Sequence, residues 1–116
     1  MDVYALRAVT ILPGERAIVT TGISMAIEVG YVGLIWDKSG LSNIFGLKVV
    51  GGVIDAGYRG EILVGILNTS NESYTYSAGD KVAQMLIQSV VQPDLVEVFE
   101  LDGTDRGDGR FGSSGV

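Results

Sequence analysis

The stretch Gly51 to Glu61, GGVIDAGYRGE, places a carboxylate, Asp55, directly after an apolar pair and shortly before an aromatic, Tyr58. An acid at a strand end, partly shielded from water, can take a proton from an attacking water. The tyrosine ring offers a flat face for a base or a sugar. The same residues also fit a plain turn, in which Asp55 bonds its own backbone and Tyr58 covers the core. Two other stretches suit an anion. In DKSGLS, Asp37 to Ser42, a cation (Lys38), a hydroxyl (Ser39) and the Gly40 backbone meet at one turn, where N–H donors can converge on a phosphate. A solvated loop would read the same way. In GDKVAQM, Gly79 to Met85, Gln84 is a neutral amide among apolar neighbours, either a ligand contact or a satisfied amide of the sheet. The C-terminal RGDGRFGSSGV adds Arg106, whose guanidinium fork matches phosphate oxygens. It also carries Phe111 and the run Gly112, Ser113, Ser114, with hydroxyls and accessible amides. No GxxxxGK[ST] run is present, so this is not a Walker loop.

Composition narrows the chemistry. The chain has no histidine and no cysteine, so a general base must be a carboxylate, or a lysine or tyrosine with a shifted pKa. Thiolate catalysis and disulfides are excluded, which fits a reducing cytoplasm. A net charge of −6 without a long Lys/Arg cluster argues against a nucleic-acid polymer as partner. It leaves room for a small phosphorylated ligand, which needs only a few donors. No apolar run approaches the roughly 18 residues of a membrane span, and no signal peptide is visible. Two sequons, at Asn68 and Asn71, read as turn residues.

The elements that must position these groups are strands. At 116 residues the chain is one domain with one core. No window repeats convincingly at helical spacing, whereas short Val- and Ile-rich runs recur every eight to twelve residues or so between turn signals. Strands are predicted around 9–12, 16–21, 23–29, 32–36, 47–50, 53–54, 61–67 and 81–87, with Tyr74 and Tyr76 on another. Leu95 to Leu101 is predicted as the last strand. Asn68 to Glu72 is predicted as a hairpin turn, and a short helix is weakly indicated around Leu41 to Phe45. The pattern indicates an all-β sandwich or barrel over residues 1–101. The Gly-rich tail, 102–116, has nothing left to pack.

In order and spacing, DVYAL, DKSGLS, GVIDAGYRGE, GDKVAQM and RGDGRFGSSG resemble the five motifs of the trimeric dUTP pyrophosphatases (dUTPases), from Asp2 to Gly115. The linking PGER, TGI and GYVGLI segments are typical of that family too. The resemblance implies a β-barrel with jelly-roll (β-clip) character, a homotrimer, and three sites shared between subunits. It implies hydrolysis of dUTP to dUMP and pyrophosphate, with Mg²⁺ held mainly by the triphosphate and water. Carried over by position, Asp55 would deprotonate the water that attacks the α-phosphorus. Tyr58 would pack on the deoxyribose and crowd out a ribose hydroxyl. The backbone at Gly52, Val53 and Ile54 would read the uracil edge in a slot too narrow for a 5-methyl. Lys38, Ser39, Gly40 and Gln84 would hold phosphates, and Asp2 would support the metal through water. Arg106, Ser113 and Ser114 would grip the γ-phosphate while Phe111 and Gly112 close over the base of a neighbouring subunit's site.

The chain departs from the family pattern at several positions. Lys38 stands where arginine is usual, Val49 for an asparagine, Gly57 for an acid, Arg110 for a glycine and Ser114 for a threonine. The family's N-terminal strand would precede Met1, so a sheet edge without it is expected, with a weaker trimer. Two other activities share the fold: a non-catalytic, regulatory nucleotide-binding trimer, and a dCTP deaminase. The latter needs an additional glutamate and arginine at the base amine, which no segment here supplies.

Overall fold

The computed structural model describes residues 1–115; Val116, the end of the predicted tail, lies outside the described residues. Among the described residues nine strands and one helix follow one another. They are β1 (Asp2–Tyr4), β2 (Val9–Ile11), β3 (Arg16–Ser24), β4 (Tyr31–Trp36), α1 (Ser39–Phe45), β5 (Leu47–Val50), β6 (Val53–Ile54), β7 (Glu61–Asn68), β8 (Tyr74–Tyr76) and β9 (Lys81–Ser89). All-β architecture is as expected. The strands form three sheets, ordered β1-β9-β4-β6, β3-β7-β5 and β2-β8, every pairing antiparallel.

One core lies between the sheets. Strand β7 sits between β3 and β5 and turns Ile62, Val64 and Ile66 inward at every second residue. Val3, Ile11, Val19, Ile35, Leu47, Tyr76, Val82 and Met85 meet them. Each large aliphatic side chain so buried contributes about 1.5–3 kcal/mol.

Several expectations need correction. Residues 16–24 form one strand: Gly22, at φ +72°, absorbs the register shift between Thr20 and Ser24 that would otherwise end it. Residues 25–29 are a loop, not the second half of a strand pair, and Ile27 is buried from it. Asn68 to Glu72 does not close a hairpin, because β7 and β8 belong to different sheets. The buried Asn68 makes the corner: its Nδ2 donates to Ile11 O (3.0 Å) and Glu72 O (2.7 Å), while its Oδ1 accepts from Ser70 N (3.0 Å) and Ser70 Oγ (2.8 Å). All the hydrogen bonds that amide needs are therefore made inside the fold. Leu95 to Leu101 is not a strand, since no ladder in the chain reaches it. Strand β1 was not anticipated, and α1 begins at Ser39, earlier than expected.

The tail packs on itself, with Gly109 N bonding Arg106 O (3.1 Å) and Ser113 N bonding Arg110 O (2.7 Å). The radius of gyration, 18.6 Å, exceeds the roughly 13 Å of a compact chain of this size, and from Leu86 through residue 115 every residue but Gly109 is exposed. Among the described residues no helix is long and apolar enough to cross a membrane.

Candidate active site

Strand β6 is the open edge of its sheet: it pairs only with β4, Gly33 opposite Ile54 and Leu34 opposite Val53. Just before it, Gly52 gives its carbonyl to Ile35 N (2.8 Å). Gly52 has φ +106°, and a Cβ there would lie 2.8 Å from Ile35 O, so only glycine lets the two strands meet this closely. That carbonyl is taken within the sheet, which leaves the outer edge of Val53 and Ile54 without a strand partner.

The chain turns directly after β6. Tyr58 N bonds Asp55 O (3.1 Å), and Arg59 Nη1 fastens the turn to Ala56 O (2.7 Å) and Tyr58 O (3.0 Å). Tyr58 Oη donates to Glu61 O (2.7 Å), folding the ring back over Gly60, where a Cβ would lie 2.5 Å from that oxygen. The alternative of an Asp55 side chain bonded to its own backbone is not what forms. Among the described residues its carboxylate has no hydrogen-bond donor, and it lines a pocket of about 190 Å³ with Val53, Ile54, Tyr58, Glu61 and Leu63. Asp55 is exposed in the single chain rather than partly shielded. The pocket is also smaller than the roughly 300 Å³ at which small-molecule sites begin. This chain by itself supplies part of a site.

A second group gathers at the opposite end of β4, since Ile54 lies across from Gly33 and the chain runs from there toward the start of that strand. Trp36, at the end of β4, is opposite Gln84 of β9, and Gln84 is opposite Asp2 of β1. Lys38 follows β4 and donates from Nζ to Asp2 Oδ1 (2.6 Å); Lys81 Nζ lies 3.3 Å from Asp2 Oδ2. The hydrogen bond from Lys38 holds the Asp2 carboxyl below its ordinary range, assisted by Lys81 and opposed by partial burial. Ser39 and Gly40 form the first turn of α1, which no side chain caps. Gln84 Nε2 donates to Asp37 O (2.8 Å).

The tail joins neither group. Arg106 Nε bonds Gly109 O (2.9 Å), and Phe111 is 101% exposed. Of the predicted site residues, the fold thus brings Gly52 to Tyr58 together, and Asp2 with Lys38 to Gly40 and Gln84. It leaves Arg106 to Ser114 apart. Sequence reading gave no role to Arg59, Lys81 or the side chain of Asp37. Their only signal was a charge within a motif, which solvated surface also produces.

Among known proteins this fold is shared with solved nucleotide hydrolases. The model of the dUTPase family matches residues 1–115. Deoxyuridine 5'-triphosphate nucleotidohydrolases of Mycolicibacterium gilvum and Mycobacterium leprae are 47% and 46% identical, each over 99% of this chain and 80% of the relative. A solved Staphylococcus bacteriophage 80alpha dUTPase carrying dUpNHpp superposes with a TM-score of 0.92 at 30% identity, over 99% of this chain and 85% of that one. A dUTPase from phage phi11 of S. aureus, described with a structural Mg(II) ion, has a TM-score of 0.82 at 28% identity, over 88% and 84%. The chain belongs to the dUTPase family, enzymes that split dUTP into dUMP and pyrophosphate. Neither the deaminase nor the non-catalytic alternative is favoured.

Proposed function

We propose that dUTP is cut at a composite site in which Asp55 is the base. The observation that carries this is the free Asp55 carboxylate beside Tyr58 and the open edge of β6. Asp55 takes a proton from water as the water oxygen bonds the α-phosphorus. The bond from that phosphorus to the bridging oxygen breaks, and pyrophosphate leaves. The unpaired backbone of Val53 and Ile54 is suited to the uracil edge, and the Tyr58 ring to the deoxyribose. Lys38, turning from Asp2, serves the phosphates with Ser39, Gly40 and Gln84. Most of the catalysis is positioning and charge neutralisation.

The donor set suits magnesium carried on the triphosphate rather than held by the protein. Among the described residues no three acidic side chains gather, and both Asp2 oxygens already face ammonium groups. Bound there, the ion would neutralise triphosphate charge while keeping its waters, with Asp2 reaching it only through water.

The homotrimer is supported by the segment without a strand. Leu95, Val96, Phe99 and Leu101 are exposed in a short run rich in apolar residues. A second copy supplies the missing ladder and carries residues 102–116 to a neighbouring pocket. There Arg106, Ser113 and Ser114 take the γ-phosphate, and Phe111 with Gly112 covers the base. The cytoplasm, where deoxynucleotides are made, fits a chain without cysteine. Pyrophosphate release tests the reading: dUTP should be turned over, with dTTP and UTP left intact. Equal turnover of all three would defeat the specificity assigned to β6 and Tyr58.

A further inference from the structure

We infer that Asp37 is a positioning residue, the clamp that sets the phosphate-side groups of the site. It ends the run from β4 into α1 and makes three bonds in three directions. Its Oδ1 accepts the Val49 N–H of β5 (2.6 Å), its Oδ2 pairs with Lys48 Nζ (2.7 Å), and its main-chain carbonyl accepts Gln84 Nε2 of β9 (2.8 Å). Strand β5 is an edge of the β3-β7-β5 sheet, so the Val49 N–H points to no strand on that side. The carboxylate fills that role and ties one sheet to the end of another. Lys38 is the next residue along the chain, in extended conformation (φ −82°, ψ 125°) and without a side-chain cap of its own. Where Lys38 emerges is therefore fixed by Asp37, and the same residue engages one N–H of the Gln84 amide and leaves the other. A charged acceptor for a main-chain N–H is among the stronger hydrogen bonds, and its loss leaves an edge amide unpaired. Both oxygens of the Asp37 carboxylate are engaged within the fold, by Val49 N–H and by Lys48. Asp37 acts through Lys38 and Gln84, and through them on the phosphates rather than the base.

This inference rests on the reading of Lys38 and Gln84 as phosphate contacts, and the test separates the two. In the full chain, Asp37→Ala is expected to raise KM for dUTP roughly tenfold, the equivalent of one charge-assisted hydrogen bond. Affinity for dUMP, which lacks the β- and γ-phosphates, should stay within about twofold of wild type on the same grounds. Asp37→Asn keeps an acceptor for Val49 N–H and is expected to restore most of the dUTP affinity. If Asp37→Ala does not fold, Asp37→Glu takes its place. It keeps the charge but moves it by one methylene, and the same selective loss for dUTP is expected. Equal losses for dUTP and dUMP, or unchanged KM with lowered thermal stability alone, would make Asp37 merely structural and overturn the inference. Lys38→Met measured beside them tests the underlying reading: if it leaves KM for dUTP unchanged, that reading fails.

Discussion

Lys38 Nζ rests 2.6 Å from Asp2 Oδ1, so the cation expected to meet the triphosphate is already paired with an acid near the start of the chain. Because the folded carboxyl of Asp2 lies below its ordinary value of 3.8, the pair favours the native state above that pH. The contribution fades as pH falls through the lowered folded value. The stability difference between wild type and Lys38→Met should therefore be constant near neutrality and shrink below about pH 4. Thermal melts of both proteins across that range measure it; a difference that grows in acid would contradict the pairing.

Replacing Asp55 by Asn keeps the shape of the turn and removes the base. Turnover should fall about 10²–10⁴-fold, the usual worth of a positioned general base. Binding of a non-hydrolysable dUTP analogue should persist, as titration calorimetry would show. Near-normal turnover would remove Asp55 from its role.

Ending the chain after Leu101 removes the segment that packs only on itself. The body should fold and associate as before, while turnover drops about a hundredfold or more through lost closure and positioning. An unfolded product would show that the tail is structural.

Leu95→Asp combined with Phe99→Asp places charges where an intermolecular ladder is expected. Light scattering should report loss of the trimer, with circular dichroism still that of a β protein. A trimer that survives both changes would mean that this segment is not the link.

Tyr76 is fully buried, and among the described residues its hydroxyl has no hydrogen-bond partner. Burial pushes its phenol above the ordinary range, with lesser contributions from Tyr74 and Asp80. A buried, unpaired hydroxyl costs about 1–3 kcal/mol, so Tyr76→Phe should stabilise the fold by roughly 1 kcal/mol. The aromatic contact with Tyr74, whose ring centre is 4.8 Å away, would remain. Denaturant melts give the sign directly.

What could be read beforehand depended on how local its cause was. Strands β4, β5, β6, β7 and β9 announce themselves as short apolar runs between turn residues, and Asp55 with Tyr58 lies on one short turn. Residues 25–29 misled because Ile27 is buried from a loop, which periodicity does not distinguish from a strand. Leu95 to Leu101 has a strand-like apolar composition but finds no ladder among the described residues, and pairing partners are not written into a single segment. The corner at Asn68 looked like a hairpin because a polar run gives no sign that its amide reaches across to Ile11. Asp37 and Lys81 escaped for the same reason: their partners Val49 and Asp2 are distant in sequence.

The Asp2–Lys38 pair has a thermodynamic consequence. A free lysine has to give up rotamer freedom worth roughly 1.5–2 kcal/mol when it first takes a fixed partner. On the proposed reading of Lys38 as a phosphate contact, the Asp2 carboxylate holds the place of the phosphate before any nucleotide arrives. Lys38 would then exchange one anion for another, and much of its ordering cost would fall on folding instead of binding.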